Sequence, residues 1–354
     1  MRVPFGWLKE FVDITKSPEE LADTLTMLGL EVEAVEKLDG DVVFEINVTP
    51  NRPDCLSVID IAREIATAMN LPLKHPKYEI KEEASDDGLK VEILDAGLCH
   101  RYAGRVIKGV RIEQSPDWIK NRIAGCGIRA INNIVDITNY VLMESGHPLH
   151  AFDLNKLKGK SIKAALAEED CSIVTLDGIE RKLPPDALLI WDAKNPVAIA
   201  GVMGGAETEV SDFTHDVFLE SAYFEPASIR RTSKALGLKT ESSYRFERGA
   251  DIEVLTNALD RAAYLIQQVA GGKVCKKIDV YPKKIIPVAV DVRYERVNKV
   301  LGTDIPNKEM TDMIKRLGIA LDLHKDYFTV KPSAFRTDIK TEADVIEEIA
   351  RVYG

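Results

Sequence analysis

The chain has 354 residues, 45% apolar and 29% charged, with 47 Lys+Arg against 57 Asp+Glu and a formal net charge of −10. At about 100–200 residues per domain, that length predicts two or three domains with ample core, and the composition excludes a wholly disordered chain. With no run of about 18 apolar residues and no apolar signal core, the sequence reads as soluble, cytoplasmic and off the membrane, and its acidity excludes coating nucleic acid through a bulk field.

A first module is expected over residues 1–82. Ser17-Pro18-Glu19-Glu20 reads as a helix start, with Ser17 as N-cap and Glu20 in capping-box position. Leu21, Leu25 and Leu28 then mark one helical face, and Gly29 ends it. Val42, Phe44, Ile46 and Val48 alternate as in a strand, and Asn51-Arg52-Pro53-Asp54 turns into a helix over about 56–69. The charged segment 82–87 reads as a linker. A second module, 88–285, is mostly strand-like, with turns at Asp177-Gly178, Pro184-Pro185 and Gly204-Gly205. Helices interrupt it after Ser115-Pro116, at about 133–143 and at about 252–269. The third module, 286–354, predicts helices at 294–301 and 307–317, a hairpin near 321–330 and a last helix at 342–353. The fold class that follows is α+β multidomain: a small α+β N-terminal domain, a mixed α/β domain and a C-terminal helical domain.

Most hydrolase templates fail, because the chain holds no G-x-S-x-G, P-loop, H-E-x-x-H or dinucleotide glycine fingerprint. The five cysteines are odd in number and scattered without a C-x-x-C pair, against a disulfide framework or structural zinc. His147 and His150 stand three apart around Pro148, as a weak metal pair or as hydrogen-bonded loop histidines. The segment Asn132–Tyr140, with Thr138 and Asn139, mixes amides and hydroxyls with apolar residues, which suits either a polar pocket wall or capping duty. Gly201, Gly204 and Gly205 follow an apolar strand, where backbone N–H groups could approach a ligand or simply make a turn.

Glu220, inside Val217-Phe218-Leu219-Glu220-Ser221-Ala222, is the sharpest candidate. A lone carboxylate in an apolar strand costs free energy unless an arginine or a ligand's donor meets it. Arg230, Arg231, Lys234, Lys239, Arg245 and Arg248 outnumber Glu241 and Glu247, giving either a phosphate footprint or a solvated face. Asp344, Glu347 and Glu348 share one helix face with Asp338 upstream, which suits magnesium or, more commonly, a helix dipole.

Six motifs stand in order: Thr49–Asp54 (TPNRPD), Cys99–Arg105 (CHRYAGR), Val135–Tyr140 (VDITNY), His147–Asp153 (HPLHAFD), Tyr244–Gly249 (YRFERG) and Glu347–Gly354 (EEIARVYG). Together they closely resemble the N-terminal half of bacterial phenylalanyl-tRNA synthetase beta subunits, over essentially the whole chain. The resemblance implies a class II aminoacyl-tRNA synthetase, an alpha-2 beta-2 tetramer whose alpha subunit uses ATP and magnesium to charge phenylalanine tRNA. The beta subunit would hydrolyse tyrosine misattached to that tRNA, making the middle module an editing domain and the last one winged-helix-like. It also implies roles. His150 would lie near the terminal adenosine, Thr138 and Asn139 would form a polar wall, and the ester would lie on Gly204. Glu220 would receive the tyrosine hydroxyl, with Thr240 and Ser242 as a wall of small residues. Arg230, Arg231, Lys234 and Lys239 remain the candidate RNA contacts. Asp338, Asp344, Glu347 and Glu348 would be magnesium positions at the alpha contact.

The sequence departs from that family in two places. Val35 reaches Val42 in a few residues, where most members insert an oligonucleotide-binding barrel, and the chain ends at Gly354 where they continue. The chemistry expected is attack of a positioned water on an activated ester, with no acyl-enzyme. A non-catalytic scaffold or RNA-binding module, or a free-standing protein editing in trans, is the alternative.

Overall fold

In the computed structural model, which describes residues 1–354 apart from Asp39 and residues 84–87, Ser17 and Glu20 form the expected capping box. The Ser17 hydroxyl accepts from the Glu20 N–H, and the Glu20 carboxylate accepts from the Ser17 N–H at 2.8 Å. The helix Pro18–Met27 buries Leu21 and Leu25 and ends before Gly29, whose φ of +87° explains the glycine. The chain forms two compact units. One comprises Met1–Pro76, Gly125–Gly127 and Ile285–Gly354, and the other comprises Lys77–Ala124 and Ile128–Lys284.

In the first unit, the antiparallel sheet Arg2–Pro4, Asp41–Asn47 and Glu31–Leu38 packs with the helices Phe5–Phe11, Pro18–Met27 and Val58–Met69. Phe44, Ile46 and Val48 are buried as their alternation predicts. Leu38 pairs directly with Asp41. The helix expected from 56 starts instead at Val58, because a 3-10 turn occupies Pro53–Leu56 and Ser57 provides the cap. The C-terminal part of the same unit is winged-helix-like: strands Val290–Arg293, Tyr327–Lys331 and Ala320–Leu323 pack with helices Tyr294–Leu301, Asn307–Arg316 and Glu342–Tyr353. Its core gathers Val292, Val297, Met310, Ile314, Phe328, Val345 and Ile349.

The second unit carries two sheets. One runs in the order Met203–Gly204, Pro196–Ile199, Leu188–Trp191, Ser161–Leu166 and Lys90–Ile93, with the last pair parallel. The other places the long strand Asp216–Phe224 between Cys99–Lys108 and Leu149–Asp153. Residues 84–87 of the segment read as a linker lie outside the described residues, whereas Glu82 belongs to this unit and pairs with Arg105 at 2.7 Å.

Two helices here were not expected, Pro226–Leu236 and Glu241–Phe246, and the one read from 252 starts at Leu255. The architecture is therefore α+β and multidomain, and among the described residues no helix is long and apolar enough to cross a membrane.

Candidate active site

The strand Asp216–Phe224 alternates, so Phe218, Glu220, Ala222 and Phe224 share the face turned to the core. On one side Glu220 lies opposite His150 of Leu149–Asp153, and on the other opposite Gly104 of Cys99–Lys108. This register is what brings a carboxylate and an imidazole into one wall. Glu220 is only 7% exposed and, among the described residues, is held by no arginine or lysine. Its Oε2 accepts from the Tyr102 hydroxyl, while Oε1 takes no hydrogen bond from protein among the described residues.

Opposite this wall runs the helix Asn133–Ser145. The Asn132 side chain accepts from the N–H groups of Ile134 and Val135, and Gly146 closes the helix at φ +73°. Buried Asp136 receives Ser115 Oγ at 2.6 Å and the Ile131 N–H at 2.7 Å, fixing the first turn. Val135, Thr138 and Asn139, at i, i+3 and i+4, therefore share a face. They line a cavity of about 470 Å³ with His150, Leu176, Gly201, Gly204, Glu220, Thr240 and Ser242. All seven residues proposed for catalysis or recognition meet there.

Their hydroxyls are not equally free. Thr240 caps Glu241–Phe246 and donates to the Val202 carbonyl at 2.9 Å, so it acts as wall rather than donor. Thr138 donates to the Val135 carbonyl at 2.7 Å, retaining acceptor capacity only. Asn139, half-buried, has a side-chain amide without a protein partner among the described residues.

Burial raises the Glu220 carboxyl to about 7, against a smaller downward pull from the Tyr102 hydrogen bond. Burial alone lowers His150 to about 4, so its imidazole is neutral near pH 7. Its Nε2 is buried without a partner among the described residues. His147 does not share this place: it is fully buried, with its ring edge-on to Phe246, and burial lowers it to about 3. Of the two histidines, His150 alone lines the cavity.

Gly204 is required by the closeness of His150. A Cβ there would stand 2.4 Å from His150 Cε1 and 2.7 Å from Nε2. The ring is backed edge-on by Phe152, with centroids 4.4 Å apart, so it has little room to retreat. Gly204→Ala is expected to displace the imidazole, read as a shift of the His150 ring resonances in NMR.

Arg230, Arg231, Lys234 and Lys239 are all exposed, on or just beyond the helix Pro226–Leu236. Arg231 pairs with Asp186 at 3.4 Å. Lys239 precedes Thr240 of the cavity wall, placing the basic stretch beside the site. Arg245, by contrast, is buried against Glu241 and Met143.

No three of the four carboxylates at the C-terminus bring ligand atoms within 4.8 Å of one another. Arg336 grips Asp338 and donates to Glu348 at 2.7 Å, and Arg351 joins Glu348 to Glu64. Asp344 serves the capping box of Glu342–Tyr353 with Thr341, and Glu347 is exposed. Carboxylates neutralised by guanidinium or committed to a cap do not fit a magnesium ligand set within this chain. The one carboxylate–thiol cluster among the described residues, Asp54, Cys55 and Glu64, is likewise filled by Arg52.

Sequence comparison matches residues 98–271 to the B3/4 domain and residues 290–354 to the tRNA synthetase B5 domain. The phenylalanine–tRNA ligase beta subunit of Syntrophus aciditrophicus (strain SB) is 44% identical over 343 residues, 95% of this chain and 41% of that protein. That of Thermotoga maritima is 45% identical over 327 residues, covering 92% and 41%. The Geobacter metallireducens protein aligns over 471 positions at 36% identity, all of this chain and 59% of that one, so it carries a large insertion relative to the present sequence. The chain thus spans about two fifths of the length of most of these relatives. A solved N-terminal fragment of the phenylalanyl-tRNA synthetase beta subunit from Pyrococcus horikoshii superimposes with a TM-score of 0.57 at 17% identity, covering 100% and 99% of the two chains. The likeness to that fragment is one of fold.

Proposed function

Because the chain belongs to the family of phenylalanine–tRNA ligase beta subunits, as a part spanning about two fifths of their length, we propose that it hydrolyses tyrosine misattached to phenylalanine tRNA. The observation that carries this reading is Glu220: a buried carboxylate facing a cavity with one oxygen unpartnered, beside His150 and Gly204. A tyrosyl phenol reaching Oε1 would satisfy it. A phenylalanyl ring would leave it unpaired, a difference that sites of this kind turn into about 10⁴-fold discrimination.

An aminoacyl ester is already reactive, so positioning and oxyanion donors suffice for attack by water. In this reading the ester lies along the 200–204 backbone, and neutral His150, which lines the cavity, orients the ribose or the water. Asn139 binds the polar part of the aminoacyl-adenosine, and Thr240 and Ser242 limit the pocket. Arg230, Arg231, Lys234 and Lys239 meet the acceptor-stem phosphates. Pairing with an alpha subunit, where ATP and magnesium serve synthesis in the cytoplasm, belongs to the same proposal, as does the division into domains at 1–82, 88–285 and 286–354. No step here runs through either cofactor.

The purified chain is expected to deacylate tyrosyl-tRNA faster than phenylalanyl-tRNA. Failure to hydrolyse either would leave the scaffold reading instead. The preference should also grow from about pH 6 to about pH 8, because a carboxyl raised to about 7 ionises across that range and an ionised one is costlier to leave unpaired. A preference independent of pH would contradict ionised Glu220 as the discriminator. His150, lowered to about 4, contributes no inflection there.

A further inference from the structure

On the reading of Glu220 as acceptor of the substrate phenol, we infer that Tyr102 is the positioning residue for specificity: its hydroxyl pins one carboxylate oxygen so that the other is presented to the cavity. Tyr102 pairs with Ala222, two places along from the Gly104–Glu220 pair, and so reaches Glu220 diagonally on the same face of the sheet. It is fully buried, and its O–H donates to Oε2. Gly104, directly opposite Glu220, offers no side chain, and the Phe218 ring fills the room its Cβ would take, at 2.3 Å. No other protein donor reaches the carboxylate among the described residues.

Two consequences follow. The carboxylate cannot swivel between oxygens while Tyr102 holds one of them. The hydrogen bond also favours the ionised form, and an ionised carboxylate rejects a ring without hydroxyl more sharply than a neutral one. The other titratable groups near Glu220 do not replace this contact. Cys99 lies on the same strand as Tyr102 and burial keeps it a thiol. His150 is neutral on the neighbouring strand, and Asp177 and Glu209 line the cavity as further acids. Tyr102 is the neighbour that donates.

The test is Tyr102→Phe, which keeps the ring and removes the donor. The ratio of kcat/KM for tyrosyl- over phenylalanyl-tRNA is expected to fall about tenfold, mainly through a higher KM for the tyrosyl ester and faster loss of the phenylalanyl one. The Glu220 carboxyl midpoint, followed by difference infrared spectroscopy and assigned with Glu220→Gln, should move up by about one pH unit. In a Glu220→Gln background, Tyr102→Phe should change selectivity no further. In the unsubstituted chain the Tyr102 hydroxyl proton should appear as a slowly exchanging downfield NMR resonance that Glu220→Gln shifts, and its absence would contradict the contact even if the variant did not fold. An unchanged ratio and an unchanged midpoint, with Glu220→Ala abolishing selectivity, would reduce Tyr102 to packing. If instead Glu220→Ala left selectivity intact, the editing assignment itself would fall, and the specificity role of Tyr102 with it, whatever the infrared midpoint did.

Discussion

Glu220→Ala is expected to lower the tyrosyl-to-phenylalanyl deacylation ratio about 10³-fold while leaving RNA affinity within about twofold. The alanine removes both the acceptor for the phenol and the buried charge that penalises its absence. Most of the change should therefore come from slower tyrosyl hydrolysis together with faster phenylalanyl hydrolysis. Binding of the tRNA body, through exposed residues such as Arg230 and Lys234, should be untouched. Single-turnover deacylation at matched tRNA concentrations checks the ratio, and filter binding checks the affinity. A variant that still prefers tyrosine would remove Glu220 from the account.

The second large effect is on stability. Arg336→Ala is expected to destabilise the unit built from the chain's two ends by about 3–5 kcal/mol, because it strands buried acids. The Arg336 side chain is 1% exposed and holds both Asp338 and Glu348. Arg351 extends the chain of charges from Glu348 to Glu64, which Arg52 shares with Asp54. Although burial pushes Glu348 up, the hydrogen bonds from Arg351 and Arg336 hold it well below the usual carboxylate range. A depressed carboxylate stabilises the fold above its unfolded value near 4.5 and loses that contribution as pH falls towards its folded value. The gap between parent and variant, measured by urea unfolding, should therefore be widest near neutrality and shrink in acid. A gap constant down to about pH 3 would show that Arg336 acts through packing alone.

What could be read along the chain was what local chemistry dictates. Ser17 and Glu20 are three residues apart, and a capping box needs nothing more. Glu220 stood out because an acid amid Phe218, Leu219 and Ala222 demands a partner. The helices Tyr294–Leu301 and Glu342–Tyr353 showed their amphipathic spacing directly. Pro226–Leu236 and Glu241–Phe246 were hidden because their exposed charges read as a basic patch, although Pro226 at the first turn and Gly237 at φ +65° are ordinary boundary signals.

Tyr102 was missed for a different reason. Within an apolar strand a tyrosine looks like core, and its partner lies 118 residues away, set by strand register. The acidic C-terminal face suits either magnesium or a helix dipole by spacing alone, while Thr341, three residues before Asp344, carries the capping signal. The grip of Arg336 and Arg351 on Glu348 and Glu64 depends on tertiary pairing that spacing does not encode.

On the function proposed above, the buried Glu220 carboxylate recognises a phenol in the cavity that Asn133–Ser145 and Asp216–Phe224 line. Calorimetric titration of the chain with hydrolysis-resistant 3′-amide analogues of tyrosyl- and phenylalanyl-adenosine tests it most directly. The tyrosyl analogue is expected to bind at least about 100-fold more tightly, and Glu220→Ala to erase the difference. Equal binding of the two analogues to the unsubstituted chain, or a tyrosyl advantage that survives Glu220→Ala, would contradict it.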